Sequence, residues 1–266
     1  KLKTNTPLRI LISGTTGWIA GGVARALVEA GHEVTGVARR PTNIDGVKSV
    51  QADLLNGEAL TKVFSDGKFD VLVHLAGALG WCSLEQGIEV NVSGTRRIVQ
   101  AALDNGCKKI VIASSVAVIG CTAPAHPPAR LPMSVDEPFV GSKWPYALSK
   151  SMVEELIAMH SLEHTDVDFI VVRIGATVTD PPHIVHKDGV VDGKEIEWHV
   201  EPAVCTDAPY SLKSPKLFVE DALCAVAYSD QVDCLVHCAV RAPAAAGVRQ
   251  IACVAPRLYN KDPVPD

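Results

Sequence analysis

No stretch of this 266-residue chain approaches the ~20 consecutive apolar residues that a bilayer-crossing helix needs, so no membrane contact is expected. No signal peptide opens it either, although Lys1 stands where a methionine would, as in a trimmed chain. A basic stripe is missing: the net charge is −5, and nothing argues for nucleic acid as a partner. Internal repeats and low-complexity tracts are absent as well. The chain has eight cysteines but no repeated CxxC spacing, and most lie in apolar segments such as "DALCAVAY" and "DCLVHCAV". These read as buried thiols of a reducing cytosol, which makes the expected location cytoplasmic. Cys234, His237 and Cys238 could share a helix face, but four ligands at a recognisable spacing are lacking, so no metal is expected.

What is present is a globular composition, 47% apolar, in a chain long enough for a sizeable core. Apolar runs alternate with helical periods. Strands are expected at 9–13 ("RILIS"), 33–38, 47–52, 70–76, 109–115 and 168–174, and helices after Gly17, over 90–106 and over 145–162. Strands apolar throughout and alternating with helices imply a parallel sheet covered on both faces. Residues 175–215 are rich in Pro, Asp and His and break the pattern; order returns at "ALCAVAY", a helix from Asp230 to Ala242 and a strand over 248–255. The expected organisation is one catalytic unit. Residues 1–174 form its core, and 175–266 form a reduced substrate-covering lobe interleaved with the last core elements.

Between the first strand and first helix lies "SGTTGWIAGG", with Gly14, Gly17 and the Ala20/Gly21 pair at G-x-x-G-x-x-[G/A] spacing. Early glycines let backbone turn sharply and approach a pyrophosphate, whose charge rests on the helix N-terminus. At the end of the second strand, where a carboxylate would repel a 2′-phosphate, Ala38 is followed by Arg39 and Arg40. Guanidinium groups suit a phosphate, so NADP(H) is favoured, with NAD(H) as the alternative. Further on, "WPYALSK" sets Tyr146 and Lys150 one helical turn apart, which raises a question of proton transfer.

These residues together resemble the extended or atypical short-chain dehydrogenase/reductases, the NAD(P)-dependent epimerase/dehydratase-like branch, from about residue 8 to about residue 255. The resemblance rests on "GTTGWIA", "ADL" with Asp53, "HLAG" at 74–77, "NVSGT" at 91–95, "ASSVAVIG" at 113–120 and "YALSK" at 146–150, in that order. It implies a Rossmann-like, doubly wound parallel sheet. It places Gly14, Thr16, Gly17, Trp18, Ile19, Arg39, Arg40, Asp53, Leu54, Leu75, Ala76, Gly77 and Lys150 around the dinucleotide. It gives Tyr146 the proton exchange with the substrate oxygen, Lys150 the lowering of the phenol pKa and the hold on the nicotinamide ribose, and Ser115 a hydrogen bond to that oxygen. Asn91 takes the place of the family's helix-bending asparagine, often linked to a proton-relay water. A homodimer through helices 90–106 and 145–162 is the family's habit.

Departures from the pattern narrow the chemistry. Val116 and Ala117 follow Ser115 where sugar-nucleotide dehydratases carry Asp-Glu, and neither can move a proton. The run Arg173-Ile174-Gly175-Ala176 lacks the asparagine that contacts a substrate diphosphate, and Ile119 replaces a customary tyrosine. Only about a dozen residues follow the last strand. The leading expectation is an NADP(H)-dependent oxidoreductase interconverting an alcohol and a carbonyl on a small, non-nucleotide substrate. The alternatives are an epimerase retaining its cofactor, a redox-neutral cyclase or lyase, and a cofactor-binding regulator. Trp81, Ser115, Tyr146 and Ala176 are the candidate substrate contacts. Cys82, the loop 121–145, His183, His186, Trp198 and His199 are further candidates for lining the pocket.

Overall fold

Val, Ile and Leu on both faces of a strand demand cover on both faces of the sheet, and that demand organises the structure. The computed structural model describes residues 6–119, 139, 143–178, 189–191, 194–196, 225–241 and 250–253. Its strands are β1 (Arg9–Ser13), β2 (Glu33–Ala38), β3 (Val47–Gln51), β4 (Val71–His74), β5 (Lys109–Ser115), β6 (Asp168–Ile174), β7 (Ala176–Val178), β8 (Gly189–Val191), β9 (Lys194–Ile196), β10 (Ala225–Ala227) and β11 (Gln250–Cys253). Seven of them make one parallel sheet, ordered β11-β6-β5-β4-β1-β2-β3. β7 pairs with β10, and β8 with β9, in two small ribbons.

On one face lie α1 (Trp18–Glu29) and α6 (Tyr228–Val240), packing Val23, Leu27, Val232 and Leu235 onto Ile10, Ile12 and Val73. On the other lie α2 (Gly57–Asp66), α4 (Gly94–Asp104) and α5 (Pro145–Glu163), which bring Leu60, Phe64, Ile98 and Ile157 onto Leu11, Leu72 and Ile112. Local signals set the helix ends. The Asn56 side chain accepts the Ala59 N–H at the start of α2. Pro145 opens α5. Gly31 takes φ +92° after α1, a conformation that L side chains resist.

Two elements differ from the sequence expectation for visible reasons. The fourth strand stops at His74 rather than 76, because the N–H groups of Leu75 and Ala76 both turn to Ser13 Oγ, each at 3.1 Å. The helix expected over 90–106 starts earlier, after α3 (Leu84–Gln86), and winds as a π-helix over Gly87–Ser93 before becoming α4. Of the late elements, α6 covers 228–240 and β11 covers 250–253; the rest of the expected strand over 248–255 lies outside the described residues.

The chain steps outward from β1 to β2 and β3, then returns to β4 on β1's other side. The loops after β1 and β4 therefore diverge and leave a crevice at the carboxyl ends of the strands, where ligands of such sheets bind. Tight packing reaches the edge of this crevice. A Cβ at Gly36 would lie 2.7 Å from Thr15 Oγ1, in the loop after β1. Gly36→Ala is accordingly expected to cost about 1–3 kcal/mol by overpacking, measured by urea unfolding. Unchanged stability would show that Thr15 is free to move.

Candidate active site

The glycine turn forms the crevice's first wall. Gly14 has φ +82°, and a Cβ on it would sit 2.9 Å from the backbone of Ala76. Only glycine therefore lets the β1 and β4 loops approach each other. Its N–H donates to Val37 O, and its carbonyl accepts the Gly17 N–H, both at 2.8 Å. Gly17 is the N-cap of α1, with no side-chain cap and no acidic residue in the first turn, so no carboxylate competes for the positive end of the helix. Gly21 differs: a Cβ there would make only ordinary contacts of 3.5 Å and beyond, so its size is not required.

A cleft of about 470 Å³ opens here, lined by Thr15, Thr16, Gly17, Trp18, Gly21, Arg25, Pro41, Thr42, Asn43 and Ile44. Its shape and donors fit the phosphate end of a dinucleotide: an approachable glycine turn, an uncapped helix start and one guanidinium. Arg25 was not singled out from the sequence. The available signal was its place one turn beyond Gly21 on α1. Thr15 and Thr42 close the cleft floor by a hydroxyl–hydroxyl hydrogen bond of 2.5 Å. Arg39 and Arg40 stand exposed at the end of β2, the Arg39 carbonyl accepting from Gln51 Nε2 at 3.2 Å. Asp53 is exposed and its carboxylate accepts the Leu55 N–H; Leu54 is buried in the core beneath α4. Ile19 and Leu75 pack on the α1 face of the sheet and Ala76 on the other.

Across the crevice, α5 carries Tyr146 and Lys150 on one face. Lys150 Nζ lies 5.8 Å from the centre of the Tyr146 ring and donates to Ala113 O on β5 at 2.8 Å. The lysine is only 7% exposed. Burial lowers its pKa to about 8, against the opposing pull of Cys82 and Glu154. Gly77, from the loop after β4, hangs over this group: a Cβ there would stand 2.9 Å from Asn91 Oδ1 and 3.6 Å from Lys150 Nζ. Ser115 ends β5, buried, its Oγ accepting the Ala117 N–H at 3.2 Å. Asn91 sits inside the π-helix, where the widened turn sets it against α5. Its Oδ1 accepts the Ala78 N–H at 2.6 Å and its Nδ2 donates to Ser149 Oγ at 2.9 Å; Ser149 in turn donates to Tyr146 O. Asn91 thus ties the β4 loop to the first turn of α5.

Two buried networks support these groups, and sequence reasoning missed both. Glu154, one turn past Lys150, accepts two bonds from Arg173 on β6, at 3.0 and 2.9 Å, and one from Ser114 beside Ser115. This fork clamps α5 to β5 and β6. Second, His74 bonds Ser13 Oγ through Nδ1 at 2.6 Å and Thr95 Oγ1 through Nε2 at 2.9 Å. Because Ser13 Oγ already accepts two backbone N–H groups, its proton goes to Nδ1, and Nε2 carries the ring proton toward Thr95. Burial then lowers the His74 pKa to about 3, with Lys150's charge adding to the effect. An imidazole in an apolar strand run gives no sign of such partners until the strands are paired.

The other candidates separate. Trp81 is 53% exposed and follows Gly80, whose carbonyl accepts from Trp144 Nε1, and Cys82 is buried. Ala176 opens β7. Most of the loop 121–145, with His183, His186, Trp198 and His199, lies outside the described residues. Cys234 and Cys238 hydrogen-bond one another on α6, and His237 is exposed.

A parallel sheet with a glycine turn at its switch point, faced by a buried lysine one turn from a tyrosine, defines a dinucleotide-site architecture. The chain belongs to the NAD dependent epimerase/dehydratase family, which it matches over residues 10–181. It is similar to the UDP-glucose 4-epimerase of Neisseria meningitidis serogroup A, 29% identical over 164 residues, covering 56% of this chain and 47% of that protein. It also resembles the UDP-N-acetyl-alpha-D-glucosaminuronate decarboxylase of Bacillus cytotoxicus, 31% identical over 179 residues, covering 61% and 53%. The chain spans about half the length of the curated relatives it matches. Among solved structures, a short-chain dehydrogenase/reductase superfamily protein from Agrobacterium tumefaciens with bound NAD superposes with TM-score 0.58 at 29% identity, over 64% of this chain and 50% of that one. The Thermus thermophilus UDP-glucose 4-epimerase complex with NAD shares the fold over 93% of this chain and 78% of that one, with TM-score 0.66 at 17% identity.

The shifted groups give the site a pH signature. His74 is neutral when folded but protonates near its ordinary 6.5 when unfolded, so its contribution is complete above that pH and is lost as pH falls toward about 3. Within that window the loss is up to about 1.4 kcal/mol per pH unit. His74→Gln should flatten this acid limb of stability measured by denaturant unfolding, and an unaltered slope would contradict the buried neutral ring. For Lys150 the depressed value means stability gained as pH rises from about 8 toward 10.5, a gain absent from Lys150→Met.

Proposed function

We propose that this chain binds a nicotinamide dinucleotide in the crevice and interconverts an alcohol and a carbonyl on a small substrate, with Tyr146 as the proton-transfer group. The observation that carries this reading is the buried Lys150 ammonium beside the Tyr146 ring at the mouth of the switch-point crevice. In this reading Gly14, Thr16, Gly17 and Trp18 hold the pyrophosphate with Arg25, and Asp53, Leu54, Leu75, Ala76 and Gly77 flank the rest of the cofactor. When bound, the cofactor supplies the hydride-transferring ring. Tyr146 gives its phenolic proton to a carbonyl oxygen or takes one from a hydroxyl. The Lys150 charge favours the phenolate and grips the ribose, while Ser115 orients the substrate oxygen. Asn91 and Ser149 position the first turn of α5 and with it Tyr146. Residues 175–266 complete the substrate cover.

Two finer points belong to the same reading. Arg39 and Arg40, with no carboxylate at the end of β2, support NADP(H). The NAD in the Agrobacterium relative supports NAD(H) as the competing cofactor. The second reading of the reaction is epimerisation of a UDP-sugar, carried by the names of the Neisseria and Thermus relatives. Against a UDP-sugar stands Ala176, where the family pattern has an asparagine for the diphosphate. Exposed Met152, Met159 and Leu162 on α5 support pairing with a second copy of the chain. Sedimentation at micromolar concentration should then give a dimer, and a monomer would remove this proposal.

Incubation with ketones and NADPH or NADH, followed by absorbance, tests the reaction. Stoichiometric cofactor oxidation supports the oxidoreductase. UDP-glucose converted with no net absorbance change would replace it by the epimerase. Arg39→Asp should shift preference from NADP(H) toward NAD(H), and an unchanged ratio would refute the arginine argument. Tyr146→Phe should lower turnover about 10²–10⁴-fold while dinucleotide affinity, followed by fluorescence titration, stays within a few-fold. Full activity in that variant would overturn the mechanism.

A further inference from the structure

The last turn of α5 and its cap read "HSLEH", residues 160–164, with two histidines and a glutamate at i, i+3 and i+4. One nitrogen from each ring and a Glu163 carboxylate oxygen all lie within 4.8 Å of one another. His160 is 4% exposed, and among the described residues neither of its ring nitrogens has a hydrogen-bond partner. Glu163 Oε2 stands 3.8 Å from Nδ1, beyond hydrogen-bonding distance. A buried imidazole with both nitrogens unsatisfied is an arrangement folded proteins avoid, and it is explained if something outside the chain occupies one of them.

We infer that His160, Glu163 and His164 form a binding site for one divalent cation of the zinc class. Two imidazole nitrogens and one carboxylate oxygen are a zinc donor set that leaves a fourth position to water. Imidazole donors disfavour magnesium and calcium, which take oxygen ligands. Burial lowers the His160 pKa, as does the Arg96 charge from α4, against the opposing pull of Glu163, and this favours the ring form that carries a lone pair. The geometry can close. His160 is fixed by packing, whereas the Glu163 side chain is 58% exposed and His164 is the helix cap, half-buried, so these two can turn toward it. Ten residues separate His160 from Lys150, about 15 Å along the helix, which makes the cation a pin for the end of α5 rather than a participant in proton transfer.

The test uses the full chain, stripped by chelation and titrated with zinc chloride in a calorimeter. One equivalent per chain should bind and raise the melting temperature, while magnesium chloride should do neither. Glu163→Gln and His164→Gln both lie outside the core and should fold normally while each weakens zinc binding on the order of a hundredfold. Cobalt(II) should give the visible bands of a tetrahedral site without thiolate charge transfer. The inference fails if no zinc is taken up at about 0.1 mM. It also fails if uptake persists undiminished in the double variant, or if cobalt shows thiolate charge transfer, which would move the ion to the cysteines of α6.

Discussion

An ammonium group buried against a strand end is the constraint on which the rest of this structure turns. Lys150 donates to Ala113 O and faces loops from β4 and the π-helix. Taking a charge out of water is costly unless it is paired and bonded. The surroundings meet this demand with the Glu154 carboxylate one turn away, itself forked to Arg173. The residual cost appears as the lowered pKa. A lysine this close to losing its proton is also one whose charge acts strongly on its neighbours, because little water lies between them.

The same group explains why the surrounding backbone is so exacting. Gly77 leaves no room for a side chain above Asn91, and Gly14 leaves none before Ala76. The π-helix over Gly87–Ser93 places Asn91 where one amide can bond both the β4 loop and Ser149. On the far side of the same loop, Ser13 Oγ, itself bonded to His74, accepts the N–H groups of Leu75 and Ala76 that β4 abandons when it ends. Early termination of β4, the π turn and the neutral histidine are three parts of one solution: they free a loop to enter the crevice without leaving buried polar groups unpaired.

Much of the fold was legible because its signals are local. Unbroken runs such as "RILIS" and "KIVIASS" can only be inner strands, Pro145 marks a helix start, and Gly31 marks a helix end. The glycine spacing in "SGTTGWIAGG" located the turn at the switch point, and four residues between Tyr146 and Lys150 placed both on one helix face. The supporting partners were not legible. Arg25 looks like any exposed helix residue, Glu154 like one more acidic position on α5, and His74 like a polar interruption of a strand. Their roles come from residues distant in the chain: Arg173 lies 19 positions from Glu154, and Thr95 and Ser13 lie 21 and 61 from His74.

Periodicity and turn chemistry are properties of neighbours in the chain, so the sequence by itself determined the alternation of strands and helices, the glycine turn and the shared face of Tyr146 and Lys150. Strand order is not such a property. Only the pairing of β1 with both β2 and β4 opened the crevice and brought Ala113, Gly77 and Asn91 around Lys150. Burial likewise exists only after packing. The lowered lysine pKa, the neutral His74 and the unsatisfied His160 ring are therefore decisions of the tertiary structure, because removal of water is what shifts a proton or leaves a nitrogen without a partner.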